Sequence, residues 1–316
     1  MRRVLALAAA CALAVTLTPP AAASASGSCR RVLGTGEHTL TVPFQNQQYP
    51  VTVYVPAGAR TTERLLAVVN LHGTQSSGRN QLAYSNMKPA ADADRYLVLA
   101  PSGAIPAATG FAWNVPGVGS PPAGARDDVA FLDQVIAAAV TALCADPARV
   151  YGTGYSGGGR MLSAFACHRP YRLAAIAPVA GLRAGRPDPL DGSRPDAGSC
   201  TPARAVPVIT FHGRQDTTNP FLGGGSEYWG YPVPAAQRRW AEINGCTGGP
   251  RTTAVSAHVS RTAYSQCRGG ADVVLHEIAD GGHTWPGTPI DNGNGTVTRE
   301  ISANSLMWQF FTRYRR

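Results

Sequence analysis

Lysine is almost missing from this chain of 316 residues: Lys88 stands alone among 28 basic side chains. The arginines that make up the rest are scattered, so the formal charge of +9 forms no stripe of the kind a nucleic acid follows. A coding preference for arginine accounts for the charge, and no nucleic-acid partner is expected. CxxC spacing is also missing, which removes the usual zinc arrangements. No metal and no other cofactor is expected. Beyond Leu17 no apolar run approaches the roughly 20 residues a bilayer span needs, so no membrane association is expected. Linkers and internal repeats are lacking, and the sequence stops directly after its last helix-like run. These absences point to one large domain, residues 26–316, acting as a monomer without an appended binding module.

What is present begins with Met1-Arg2-Arg3, an apolar run from Val4 to Leu17, and the small residues Ala23-Ser24-Ala25. This is the layout of a secretory signal peptide, residues 1–25, cut after Ala25. The run is too short for a membrane anchor, Cys29 lacks a preceding lipobox, and the paired arginines lack the rest of a twin-arginine motif. An extracellular destination by the general export route is expected, with the formal charge falling from +9 to +7 as Arg2 and Arg3 leave. Cysteine usage agrees. Cys11 departs with the leader, and Cys29, Cys144, Cys167, Cys200, Cys246 and Cys267 remain. An even number in an exported chain suggests three disulfides. Cys167–Cys200 and Cys246–Cys267 are the local options, leaving Cys29–Cys144. Spacing alone does not choose among the pairings.

Hydrophobic patterning sets the fold class. His38–Phe44 and Tyr49–Val55 alternate in polarity around a polar turn and read as an antiparallel hairpin. Leu65–Leu71 is continuously apolar, as a strand buried on both faces must be. Tyr96–Ala100, Arg149–Tyr151, Ala174–Val179 and Val206–Phe211 repeat that character. Asp128–Val140 has helical spacing with acidic residues at its start, where the helix dipole favours them. Pro234–Ile243 and Ser302–Tyr314 also read as helices. Strands alternating with helices predict a doubly wound, mostly parallel α/β sheet with the antiparallel N-terminal hairpin at one edge. Gly/Pro-rich stretches at Gly103–Arg126, Arg183–Pro202 and Phe221–Pro234 fall at strand carboxyl ends, where such sheets build their sites.

One motif carries chemistry. Gly154-Tyr155-Ser156-Gly157-Gly158 follows a strand-like run and precedes the helix-like run Arg160–Cys167. That is the context of a nucleophile elbow, which lifts a serine hydroxyl above a sheet. A serine hydroxyl is a weak nucleophile unless a base takes its proton and a third group orients the base. Asp216 follows the strand Val206–Phe211, and His283 lies past the strand-like Val273–Ile278. Ser156, Asp216 and His283 are therefore the expected nucleophile, acid and base. Asp188, Asp191 and Asp196 follow an earlier strand and are rival acids. His72 and His212 at strand ends, and His258 and His276 inside alternating strands, read as structural histidines. The backbone N–H of Gly157 and that of Thr74, in the loop after Leu71, are the expected oxyanion donors. Trp113, Trp285, Tyr228 and Trp229 are the aromatic candidates for lining the substrate site. Asp291–Thr296 resembles a calcium loop only loosely and reads as a polar turn. Asn294 opens a glycosylation sequon.

His72-Gly73, Trp113-Asn114, Asp127-Asp128, Gly154–Gly158, Phe211–Asp216 and Gly281-Gly-His-Thr-Trp-Pro-Gly287 occur in this order. Together they resemble the polyhydroxybutyrate depolymerase-like esterases, a group that includes secreted feruloyl and acetylxylan esterases. The resemblance spans nearly all of residues 26–316. It implies an α/β-hydrolase fold, no metal, and the triad Ser156, Asp216 and His283, and it supports the three disulfide pairings above. Thr74 departs from the pattern, because many relatives carry a cysteine there; the oxyanion N–H is unaffected. The expected activity is hydrolysis of a small-molecule or polymer ester through an acyl-enzyme, with feruloyl or acetyl esters of plant cell walls first. Short-chain polyhydroxyalkanoates or their oligomers come second. Acyl transfer from the same intermediate and a decayed, non-enzymatic binding protein are the rival classes.

Overall fold

The computed structural model describes residues 29–226 and 229–316. The expected leader, residues 1–25, and Tyr228 lie outside the described residues. Strands β1 (Gly36–Phe44) and β2 (Gln47–Val55) pair antiparallel, from Gly36 opposite Val55 to Phe44 opposite Gln47. Gln45 and Asn46 close the turn with φ of 47° and 61°, the left-handed pair that matches strand twist in a two-residue hairpin. Val51, Val53 and Val55 point inward, which is the alternation visible in the sequence.

β3 (Leu65–Leu71), β4 (Tyr96–Pro101), β7 (Ala145–Tyr155), β8 (Ile176–Val179), β9 (Val208–Gly213) and β12 (Val273–Ile278) form the parallel centre. Among the described residues the main sheet has ten strands in the order β1-β2-β4-β3-β7-β8-β9-β12-β11 (Val259–Ser265)-β10 (Gly248–Ala254), and a separate small hairpin consists of β5 (Ile105–Ala107) and β6 (Gly110–Ala112). β10 and β11 are antiparallel. Both edges of the sheet are therefore antiparallel, where the sequence pointed to one. His258 sits in the turn between β10 and β11 rather than within a strand, and its Nδ1 lies 2.5 Å from Glu300.

Helices cover both faces. The core of one face is built by α3 (Asp128–Ala142), α4 (Gly157–His168) and α5 (Val233–Asn244), with Phe131, Val135, Met161, Phe165 and Trp240 buried. On the other, α1 (Gly78–Tyr84), α2 (Met87–Asp94) and α6 (Ala303–Phe311) contribute Leu82, Met87, Met307 and Phe311. Asp127 caps α3 by accepting from the Ala130 N–H at 2.9 Å. Disulfides join Cys29 to Cys144, Cys167 to Cys200, and Cys246 to Cys267. No helix among the described residues is long and apolar enough to cross a membrane.

Candidate active site

The loops that leave β3, β7, β9 and β12 meet at the carboxyl end of the parallel strands. Ser156 occupies the single position between β7 and α4, with φ 53° and ψ −117°. A non-glycine residue held there carries strain of about 1–3 kcal/mol. The neighbours show what holds it. The Ser156 N–H donates to the Val179 carbonyl at 2.9 Å, and its own carbonyl accepts from the Arg160 N–H at 3.0 Å. A Cβ at Gly158 would stand 2.3 Å from the Leu71 carbonyl oxygen, so only glycine lets α4 start this close to β3.

Asp216 and His283 are joined directly: the imidazole Nδ1 lies 2.6 Å from Oδ2 of the carboxylate. The other carboxylate oxygen, Oδ1, accepts from the backbone N–H groups of Thr218 at 2.9 Å and Asn219 at 2.7 Å. These bonds fix the carboxylate, and the carboxylate fixes the ring with Nδ1–H toward it. The neutral imidazole then keeps Nε2 free of a proton and able to accept one. Burial pushes the Asp216 carboxyl upward, but hydrogen bonds from His212 and His283 outweigh it and hold the group well below the usual carboxylate range.

His212 is a contact the sequence reading did not foresee. Its Nε2 lies 3.2 Å from Oδ2 of Asp216 and 2.8 Å from the Asn219 carbonyl. Asp216 thus meets two imidazoles, both at Oδ2. The glycine-flanked His212-Gly213 at a strand end was the available signal, read there as structural.

Tyr155, next to Ser156 in the chain, reaches His283. Its hydroxyl donates to the His283 carbonyl at 2.5 Å, and the two rings lie 4.9 Å apart. The loop from Asp291 to Thr296, read from sequence as a polar turn, braces the same residue. The His283 N–H donates to the Asn294 carbonyl at 2.8 Å, and Asn292 donates to the His283 carbonyl at 3.2 Å.

Thr74 and Gly157 face each other. A Cβ at Gly157 would lie 3.1 Å from the Thr74 backbone nitrogen and 2.6 Å from its hydroxyl. Two backbone N–H groups in that arrangement, beside the serine, can receive a developing oxyanion. His72 holds the loop that carries Thr74. Its Nε2 accepts from the Gly103 N–H at 2.9 Å, so Nδ1 carries the proton and donates to the Gly73 carbonyl at 2.7 Å. Burial pulls this imidazole down to about 4, and it stays neutral.

A cleft of about 250 Å³ opens over Thr74 and Gly157, walled by Trp113, Val115, Val118, Pro122 and Arg160. Trp113 also anchors the floor: its indole donates to the His72 carbonyl at 2.8 Å. Asn114 is tied to the start of α3, its N–H donating to Asp128 at 2.8 Å, and Asp128 forms a buried pair with Arg126 at 2.6 Å.

Of the other aromatic candidates, two are displaced. Trp285 is fully buried under α6, with its indole on Asn304 at 3.2 Å, and does not line the cleft. Its ring joins the apolar core on that face with Met307 and Phe311 instead of turning toward solvent. Trp229 is also fully buried, packed against the Arg183 guanidinium, with its indole donating to the Pro220 carbonyl. Tyr228 lies outside the described residues. The rival acids Asp188 and Asp196 pair with Arg194 and Arg186 on an exposed loop, and Asp191 bonds Ser193.

No family model matches the chain. Among curated proteins, it is 32% identical over 239 residues to feruloyl esterase B of Piromyces equi, covering 74% of this chain and 42% of that protein. It is 27% identical over 188 residues to a probable feruloyl esterase C of Aspergillus terreus, covering 59% of this chain and 58% of that one. The chain thus spans about half the length of the curated relatives it matches. Among solved structures, the acetyl xylan esterase of Aspergillus awamori superposes with a TM-score of 0.62 at 16% identity, covering 88% of this chain and 99% of that one. That likeness shows the α/β-hydrolase fold.

Proposed function

We propose that this chain, which has the α/β-hydrolase fold and is similar to feruloyl esterases, is a secreted serine carboxylic-ester hydrolase. Ser156 attacks the ester carbonyl while His283 takes its proton. The tetrahedral oxyanion rests on the N–H groups of Thr74 and Gly157. His283 then protonates the leaving alcohol, and water enters by the reverse sequence to release the acid. Asp216 stays ionised throughout and stabilises the imidazolium. The observation that carries this reading is the 2.6 Å contact between His283 Nδ1 and Asp216 beside a serine held at φ 53°.

Feruloyl or acetyl esters of plant cell-wall polysaccharides are the proposed substrates. The names of the relatives support that choice, and so does a cleft of about 250 Å³ walled by Trp113, valines and prolines, which suits a flat or small acyl group. Residues 26–316 form the proposed catalytic domain, and three disulfides support export. Side-by-side release from methyl ferulate, 4-nitrophenyl acetate and hydroxybutyrate oligomers tests the assignment. Preference for the first two is expected; preference for the oligomers moves the protein to the polyester branch, and no release from any removes the esterase reading.

A further inference from the structure

Arg183 has no part in the chemistry above, yet it is one of the most buried cations in the molecule, 4% exposed. Its guanidinium carbon lies 3.3 Å from the ring centroid of Trp229 and 4.2 Å from that of Tyr231. Nη1 donates to the Trp229 carbonyl at 3.0 Å and the Tyr231 carbonyl at 2.7 Å. Nε and Nη2 are buried and meet no hydrogen-bond partner among the described residues. Burial pulls the group down only to about 10, so the cation persists at neutral pH. A buried charge with unmade hydrogen bonds costs several kcal/mol. Two ring faces and two carbonyls offset part of that and leave two donors unused.

Arg183 lines a small cavity of about 30 Å³, together with Val115, Val118, Arg160, His168 and Arg186. One water needs about 10–15 Å³, so the space admits a compact ion or the head of a carboxylate, not a phosphate ester. Its polar lining is basic or hydroxylic, and the nearby carboxylate of Asp196 is engaged by Arg186 at 2.9 Å. Val115, Val118 and Arg160 also wall the cleft over Gly157, so cavity and cleft adjoin.

We propose that Arg183 is the centre of an anion subsite beside the ester cleft, taking a compact monovalent anion: a halide, or a carboxylate carried by the substrate. The carboxylate source rests on the esterase reading; the halide source does not.

Crystals of the wild-type protein soaked in sodium bromide test the site directly. A bromide anomalous peak within about 3.5 Å of Arg183 Nε or Nη2 is expected. Bromide should also raise Tm saturably by about 2–4 °C in wild type and not in Arg183→Met. If Arg183→Met does not fold, the wild-type peak decides. Bromide only at surface arginines, with no saturable rise in Tm, overturns the proposal. The source is read from 4-nitrophenyl hemisuccinate and 4-nitrophenyl butyrate. A substrate carboxylate in the site makes bromide a competitor for the hemisuccinate alone, and Arg183→Met then lowers kcat/KM for it about tenfold or more relative to the butyrate. A bromide peak without competition assigns the site to free halide. Absence of any hydrolysis refutes the esterase reading while the peak and the melting shift still judge the subsite.

Discussion

Asp216 accepts four hydrogen-bonding contacts, from His283, His212, Thr218 and Asn219, and this concentration sets what each substitution should do. Asp216→Asn leaves the backbone bonds but presents an amide to Nδ1, favouring the wrong tautomer. A fall in kcat of about 10⁴-fold with KM little changed is expected, by analogy with serine-protease triads. His212→Phe keeps a ring in the site and removes one contact of four, and a fall of roughly tenfold is expected. Steady-state rates on 4-nitrophenyl acetate check both; an Asp216→Asn variant within tenfold of wild type contradicts the assigned role. At this scale the sequence was informative where a residue type admits few uses. Ser156 and His283 sit in glycine-rich strand ends that a buried structural side chain would not require. Trp285 and Trp229 misled because a tryptophan in a glycine-rich loop serves equally as anchor or platform, and local sequence does not say which way the ring turns. Both rings turn inward.

At the scale of elements, the elbow depends on how closely α4 approaches β3. With the Leu71 carbonyl 2.3 Å from the position a Cβ would take, Gly158→Ala forces backbone to move. A stability loss of about 1–3 kcal/mol is expected, with a larger proportional loss of kcat because Ser156 and Gly157 move with the helix start. Urea unfolding and kinetics on one preparation measure both, and an unchanged variant denies the tight approach. The legible elements were those with strong patterns. The first hairpin alternates cleanly, and the central strands β3 and β4 are buried and, Asn70 apart, apolar because both faces are covered. The hairpin β10/β11 was not legible, since Gly248–Ala254 is almost wholly exposed and polar. Helices α1 and α2 were missed for a related reason: seven and eight residues give too few turns to show a stripe.

At the scale of the whole molecule, two buried imidazoles tie stability to pH. Burial pulls His72 and His276 down to about 4 from 6.5. Between those values the unfolded chain binds more protons than the folded one. Stability is therefore full above about pH 6.5 and declines as pH falls toward 4, by up to about 1.4 kcal/mol per unit for each group. Asp216 acts lower: its depressed carboxyl contributes stability that is kept down to about pH 4 and lost below it. Urea unfolding at pH 7, 5.5 and 4.5 should show a steady decline, and His276→Phe, which keeps the ring stack on Phe211, should roughly halve it, leaving the His72 share. Equal stability at all three values rejects the neutral, buried state of these histidines. None of this was readable from sequence, because a histidine's burial depends on strands paired far apart along the chain, as β9 with β12.

The most direct test of the account is covalent labelling of the full chain with a fluorophosphonate, read by peptide mass spectrometry. One adduct per chain, on Ser156, absent in Ser156→Ala and accompanied by complete loss of ester cleavage, is the expected result. Labelling at another residue, or ester cleavage undiminished in Ser156→Ala, contradicts it.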